Sequence, residues 1–168
     1  PFFSYDDWFM STTTADGGIP RAEIDRAIPF TFGDLTSVEA AFDAHDREIA
    51  AVFLEVARID PPPAGFLEGL RRLCDLHGTV LVFDEMITGF RYHLRGLQGL
   101  YGVTPDLSTF GKALANGFSV SALAGRRDLM QLGSRERAGD DVFLLSTTHG
   151  AETTGLAAAI ATMAVYTS

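Results

Sequence analysis

Two stretches of the chain put reactive side-chain types where a protein can use them. One is the pair Asp84-Glu85, directly after the apolar, β-branched run at 79–83 (TVLVF). A carboxylate at the end of a buried strand is partly desolvated and needs a cationic or hydrogen-bonding partner. The other is Lys112, the only lysine in a chain with 13 Lys and Arg residues in all. It follows residues 106–110 and is flanked by small residues in Gly111-Lys112-Ala113-Leu114-Ala115-Asn116-Gly117. Unlike arginine, a lysine gives up its proton when desolvated and can then attack a carbonyl.

Each candidate has a plainer reading. An Asp-Glu pair also serves as a helix cap or a structural ion pair. It is, further, the ending of a strand that holds a magnesium nucleotide, but that site needs a phosphate loop of Gly, four residues and Gly-Lys-Ser/Thr. Gly111-Lys112-Ala113 lacks both the upstream glycine and the hydroxyl. A lone lysine can also reflect an arginine bias in the coding sequence. Cys74 lies in a helix-like run and reads as a buried structural thiol. His45, His77 and His93 show no metal-ligand spacing, so no metal site is expected.

The elements that must position these residues follow from hydrophobic periodicity. Residues 37–46 read as a short helix and 49–56 as a buried strand, and Pro61-Pro62-Pro63 then punctuates the chain. Residues 66–76 are apolar at helical spacing, and Gly78 ends that helix. The run 79–83 predicts a strand buried on both faces. A loop with Gly96 and Gly99 follows, then strands at 106–110 and 120–124 and a short helix at 127–132. An extended stretch at 142–147 and a helix at 153–166 complete the series. The first 35 residues, rich in turn formers, read as irregular entry to a core at 36–168. Strand and helix in alternation predict an α/β fold with a mainly parallel sheet. Ligands of such sheets bind at the carboxyl ends of the strands, where Asp84 and Lys112 fall.

Composition narrows the partners. A net charge of -9, with no basic run longer than Arg71-Arg72 and Arg126-Arg127, argues against nucleic acid. No stretch approaches the roughly 18 uncharged apolar residues of a membrane span. A single cysteine cannot form an internal disulfide, which fits a reducing, cytoplasmic setting. The chain opens at Pro1 and closes on an apolar helical run. Part of a longer polypeptide is the expectation.

Taken together, the motifs resemble a known family. Val80-Leu81-Val82-Phe83-Asp84-Glu85-Met86-Ile87-Thr88-Gly89-Phe90-Arg91 is similar to the class III (subgroup II) aminotransferase signature. So is the run from Thr104-Pro105-Asp106 through Gly111-Lys112 to Gly117, with Gly125-Arg126-Arg127 behind it. Leu97-Gln98-Gly99-Leu100-Tyr101-Gly102-Val103 resembles the glutamate-1-semialdehyde aminomutase branch. The motifs keep the family's order across roughly residues 49–166. The resemblance implies the large domain of a fold type I pyridoxal-phosphate (PLP) enzyme, with helices on both faces of the sheet.

It also implies roles. The family aspartate pairs with the pyridine nitrogen and corresponds to Asp84, which would keep the ring protonated as an electron sink. The family lysine corresponds to Lys112, which would form the internal aldimine and later shuttle the substrate proton. Met86, two residues after the aspartate, would pack on the ring face. The next family position often holds a glutamine that bonds the ring hydroxyl; Ile87 cannot. Thr147-Thr148-His149-Gly150-Ala151-Glu152-Thr153 resembles the family's Thr-x-Gly-Gly-Asn-Pro segment, with Ala151, Glu152 and Thr153 as departures. The alignment gives Thr148 the contact to the cofactor phosphate of the neighbouring subunit in a homodimer; a plain helix cap at Thr148 or Thr153 is the alternative. His149 is a candidate for lining the site. Glu55, where Val56 replaces the family's proline, and Glu85 are expected to support the site without touching the cofactor.

The family's upstream Gly-Ser/Thr-x-Ala phosphate loop and aromatic-His-Gly segment are not found, and Tyr5-Asp6-Asp7-Trp8-Phe9 looks like the stretch just after the latter. The C-terminal small domain, which brings the arginine for the substrate carboxylate, is also missing. The implied activity is movement of an amino group on a small amino or keto substrate, with the aminomutase branch favoured. An aminotransferase of a modified sugar or amino-acid precursor would share every residue named. An inert fragment and a magnesium-nucleotide module built on 79–85 are the readings from other classes.

Overall fold

The computed structural model describes residues 10–57, 59–134 and 150–168. Its centre is a four-stranded sheet in the order β1 (Ala51–Glu55), β2 (Val80–Asp84), β3 (Leu107–Phe110), β4 (Ala122–Gly125). The first three strands are parallel and β4 is antiparallel to β3. The sheet is therefore mixed but mostly parallel, and the α/β class read from the sequence holds. β2 is buried on both faces: Leu81 and Phe83 are fully buried, and Val82 and Asp84 nearly so. That is why its sequence is continuously apolar instead of alternating.

One helical layer covers β1 and β2. The helix α1 (Arg21–Ile24) is a single turn inside the entry segment read as irregular. In α2 (Leu35–Ala44), Asp34 caps the start, its side chain accepting from the Thr36 N–H at 3.0 Å. In α3 (Phe66–His77), Phe66, Leu67, Leu70 and Cys74 recur at helical spacing and face the core with Val38, Phe42, Val52, Leu54, Leu81 and Phe83. Gly78 closes α3 in the left-handed region (φ 66°), its N–H returning to the Cys74 carbonyl. His77 stacks on Phe42 at 4.3 Å, a packing role. Burial pushes the Cys74 thiol up to about 11, so it stays protonated and inert.

The remaining elements differ more from expectation. Residues read as a glycine loop form α4 (Gly96–Tyr101). The strand expected at 120–124 starts at Ala122, and its four residues are all exposed. The helix at 127–132 is α5 (Arg127–Met130) followed by a 3-10 turn, Gln131–Gly133. The long terminal helix is α6 (Thr153–Thr167). A second, smaller cluster gathers Leu114, Ala115 and Ala159, with Phe90, Phe110 and Val120 against it. The expected extended stretch at 142–147 lies outside the described residues, as do Thr148 and His149.

Asp106 ties this frame together at the entrance to β3. Its side chain is 6% exposed and accepts from the Leu81 N–H (2.7 Å), Arg71 (2.9 Å) and Arg126 (2.9 Å). Its backbone completes the join: its N–H donates to the Leu81 carbonyl and its own carbonyl accepts from the Arg126 N–H, both at 2.8 Å. Burial works against ionisation. The Leu81 N–H and the two guanidiniums outweigh it and hold the carboxyl below its ordinary value.

Candidate active site

The register of the sheet sets the site. Glu55, Asp84 and Thr109 are direct partners across β1, β2 and β3, so they lie in one row near the carboxyl ends of parallel strands. In-register neighbours of a parallel pair project to the same face. Asp84 is the last residue of β2 and is 5% exposed. Its Oδ1 accepts from the Met86 N–H at 2.8 Å and from the Thr109 hydroxyl at 3.0 Å. Among the described residues no donor is found at Oδ2. One oxygen is thus anchored while the other is left for a donor that the sheet does not supply. Glu55 is half-buried at the end of β1.

After Asp84 the chain turns through Met86 and Ile87. The half-buried Met86 side chain lies against Gly111: a Cβ built on that glycine would meet the Met86 sulfur at 2.8 Å. Gly111 directly precedes Lys112, so a thioether bridges the ends of β2 and β3. Ile87 is exposed and offers no polar atom. The neighbouring Glu85 faces elsewhere. It is fully buried, and its carboxylate accepts from the Leu97 N–H (2.9 Å), the Gln98 N–H (2.8 Å) and the Thr88 hydroxyl.

Lys112 opens a 3-10 turn, Lys112–Leu114, just beyond β3. Its φ of 47° lies in the left-handed region. For a residue with a Cβ that conformation costs about 1–3 kcal/mol, and such strain gathers at functional sites. The side chain is exposed and lines an open cavity of about 730 Å³ with Phe90, Arg91, Asn116, Thr162 and Tyr166. Phe90 (58°) and Asn116 (43°) share the left-handed conformation. The Tyr166 hydroxyl donates to the Phe90 carbonyl and so ties α6 to the turn after β2. Asp84 and Met86 are not among the residues lining this cavity. The structure thus joins Asp84, Met86, Thr109 and Gly111 directly, and Lys112 follows them by one residue.

Thr109 and Gln98 were not singled out from the sequence. Thr109 acts through strand register, and Gln98 donates from Nε2 to the Ser108 hydroxyl at 2.9 Å. Neither signal exists in the linear chain. No group of three His, Cys, Asp or Glu residues that could hold a metal is present among the described residues. No helix of the described residues is long and apolar enough to cross a membrane.

The family model Aminotransferase class-III matches residues 25–168. The chain belongs to the class III aminotransferases. It is 41% identical over 137 residues to the glutamate-1-semialdehyde 2,1-aminomutase of Nitratidesulfovibrio vulgaris, which takes in 78% of this chain and 32% of that protein. The chain thus spans about a third of the length of such curated relatives. Among solved structures it resembles an omega-transaminase from Sphaerobacter thermophilus, with 31% identity and a TM-score of 0.82. That likeness covers 89% of this chain and 34% of the other. It also resembles the FumI protein of a Sphingopyxis species in its PLP internal aldimine form, with 30% identity and a TM-score of 0.78, over 90% of this chain and 36% of that one.

Proposed function

We propose that the chain is the cofactor-holding part of a PLP-dependent aminotransferase or aminomutase, and that residues 1–168 form part of its large domain. The observation that carries this is the placement of Asp84 at the end of β2 and of Lys112 just beyond β3, on adjacent, parallel, in-register strands whose ends Thr109, Met86 and Gly111 link. Family membership supports the same cofactor.

The residues present fit that group. An aspartate with one oxygen held by two donors, and no described donor at the other, suits a protonated ring nitrogen. A thioether lying over a glycine between the two strand ends offers an apolar face for a flat ring. Bound PLP supplies an electron sink for the carbanion formed at the substrate carbon. The rest of the chemistry falls to the protein. Thr109 and the Met86 N–H hold Asp84 in line, where it would pair with a protonated ring nitrogen. Lys112 would be the residue that holds the cofactor, and its amine would take and return the substrate proton. By the family resemblance, Thr148 would contact the cofactor phosphate of a neighbouring subunit in a homodimer and His149 would line the site. The substrate is a small amino or keto compound, and the aminomutase reading rests on the kinship with glutamate-1-semialdehyde 2,1-aminomutases. The lone buried thiol suits a cytoplasmic enzyme.

A second reading is favoured by coverage. On that reading this chain, which matches 32% of the length of its relative, turns over no substrate by itself. Borohydride trapping with PLP, followed by peptide mass spectrometry on the folded protein, tests both. A phosphopyridoxyl adduct on Lys112 is expected, and it should vanish in Lys112→Ala and in Lys112→Arg, whose guanidinium cannot act as a neutral amine. An adduct retained in either variant removes Lys112 from the role. No adduct on the folded chain, with one on the full-length enzyme, supports the inert piece.

A further inference from the structure

Adjacent acids at the end of a strand face opposite ways, and here only Asp84 is spoken for by the proposed chemistry. Glu85 is the more deeply buried of the two, 0% exposed, and every described partner of its carboxylate is a donor. Oε2 accepts from the Leu97 N–H and the Thr88 hydroxyl, and Oε1 from the Gln98 N–H. These are the first free N–H groups of α4, which no side chain of the adjoining Arg95 caps. Gly96 completes the seat: a Cβ there would come within 2.5 Å of the Glu85 Oε1, and its φ of 69° is one that glycine adopts without strain. The Glu85 backbone is held as firmly. Its N–H donates to the Thr109 carbonyl at 3.0 Å and its carbonyl accepts from the Gly89 N–H at 2.8 Å. Five bonds thus fix a residue that lies between Asp84 and Met86, whose N–H orients the Asp84 carboxylate.

We infer that Glu85 is a positioning residue: by anchoring the turn after β2 to the start of α4, it sets the direction in which Asp84 presents Oδ2. The inference rests on the proposed pairing of Asp84 with the ring nitrogen. Its physical basis is that the Asp84–Met86 hydrogen bond is only as fixed as the backbone of residue 85. Glu85→Gln isolates the point, because an amide keeps the shape but has one acceptor oxygen. Whichever way the amide turns, its NH2 faces the Leu97 or the Gln98 N–H. One of these must lose its partner, and the turn must shift to let water or another acceptor in.

The test uses the full-length enzyme loaded with PLP. Glu85→Gln is expected to lower kcat about tenfold, as a small misplacement of a reacting group does, with KM within about twofold of wild type. The visible absorption of the cofactor and its pH dependence should move in the direction that Asp84→Asn moves them. Without cofactor, amide exchange at Met86 should quicken. A variant that melts lower yet keeps wild-type kcat per bound cofactor and wild-type absorption would show that Glu85 only stabilises the fold, and would overturn the inference. If Glu85→Gln does not fold, Thr88→Val decides. It deletes one donor without changing shape, and should give a smaller absorption shift of the same sign; no shift overturns the inference. If Asp84→Asn itself leaves absorption and kcat unchanged, the pairing of Asp84 with the ring falls and the role of Glu85 falls with it. An effect of Asp84→Asn without one of Glu85→Gln sinks the present inference alone.

Discussion

Replacing Asp106 by asparagine tests how the frame around the site is held. The carboxylate serves three donors: the Leu81 N–H and Arg71 at Oδ2, and Arg126 at Oδ1. An asparagine can keep its oxygen at the Oδ2 position, so the buried Leu81 N–H retains its partner. The amide nitrogen then meets Arg126, which is 56% exposed and already shares Asp128, so it swings away at small cost. What is lost is the charge opposite Arg71, whose side chain is only 20% exposed. Arg71 keeps a hydrogen bond to the retained oxygen and its ion pair with Asp75 at 2.8 Å, so the loss is the difference between a charged and a neutral acceptor, and Asp106→Asn should cost about 1–2 kcal/mol. Asp106→Ala also strands the Leu81 N–H and leaves Arg71 with only the exposed Asp75 as partner, for about 3–5 kcal/mol. Because the folded carboxyl lies below its ordinary 3.8, its stabilisation is complete above that value and is lost as pH falls through the lower folded one. The gap between wild type and Asp106→Asn in chemical denaturation should therefore be constant near neutrality and close in strong acid. An asparagine variant as stable as wild type at pH 7, or a gap that widens on acidification, would refute the argument.

Other outcomes follow from the same geometry. Asp84→Asn should still trap a borohydride adduct on Lys112 but lose about a hundredfold or more in kcat of the full-length enzyme, as expected when the charge opposite a reacting ring is removed; a near-normal rate would mean that Asp84 has another task. Gly111→Ala puts a methyl where the Met86 thioether lies. The flexible side chain can yield, so stability should fall by less than about 1 kcal/mol, whereas PLP affinity, read by fluorescence titration, should weaken several-fold. Thr148→Ala should weaken PLP binding in the dimer; unchanged affinity with a lower melting point would indicate a helix cap instead.

Most of the sheet was readable because its strands are either uniformly apolar, as in β2, or bounded by unambiguous punctuation such as Gly78 after α3. That Asp84 ends a buried strand and Lys112 follows another was readable from the apolar runs before them. α4 was not, because Gly96 and Gly99 each subtract from helix propensity. They are there for close approach: Gly96 makes room for the Glu85 carboxylate, and a Cβ on Gly99 would lie 2.8 Å from the Arg95 Cβ. β4 was placed early and without direction, since four exposed residues carry no burial pattern. The hub at Asp106 joins partners 35 and 20 positions away, so no local spacing announces it. Thr109 likewise gains its meaning only when β3 is laid in register beside β2.

The adjacency of Asp84 and Glu85 makes the length of β2 critical in a way that charge alone would conceal. A one-residue insertion or deletion within the strand exchanges the faces of everything after it. A deletion would bring Glu85 to the Thr109 row, one methylene longer than aspartate, and Met86 to the place facing α4, so the Leu97 and Gln98 N–H groups would lose their acceptor. An insertion would bring Phe83 to the Thr109 row and set Asp84, one methylene too short, toward α4. Either slip thus keeps an acid in one place and empties the other. Gaps placed by alignment inside this strand are therefore better judged by both places together than by either acid alone.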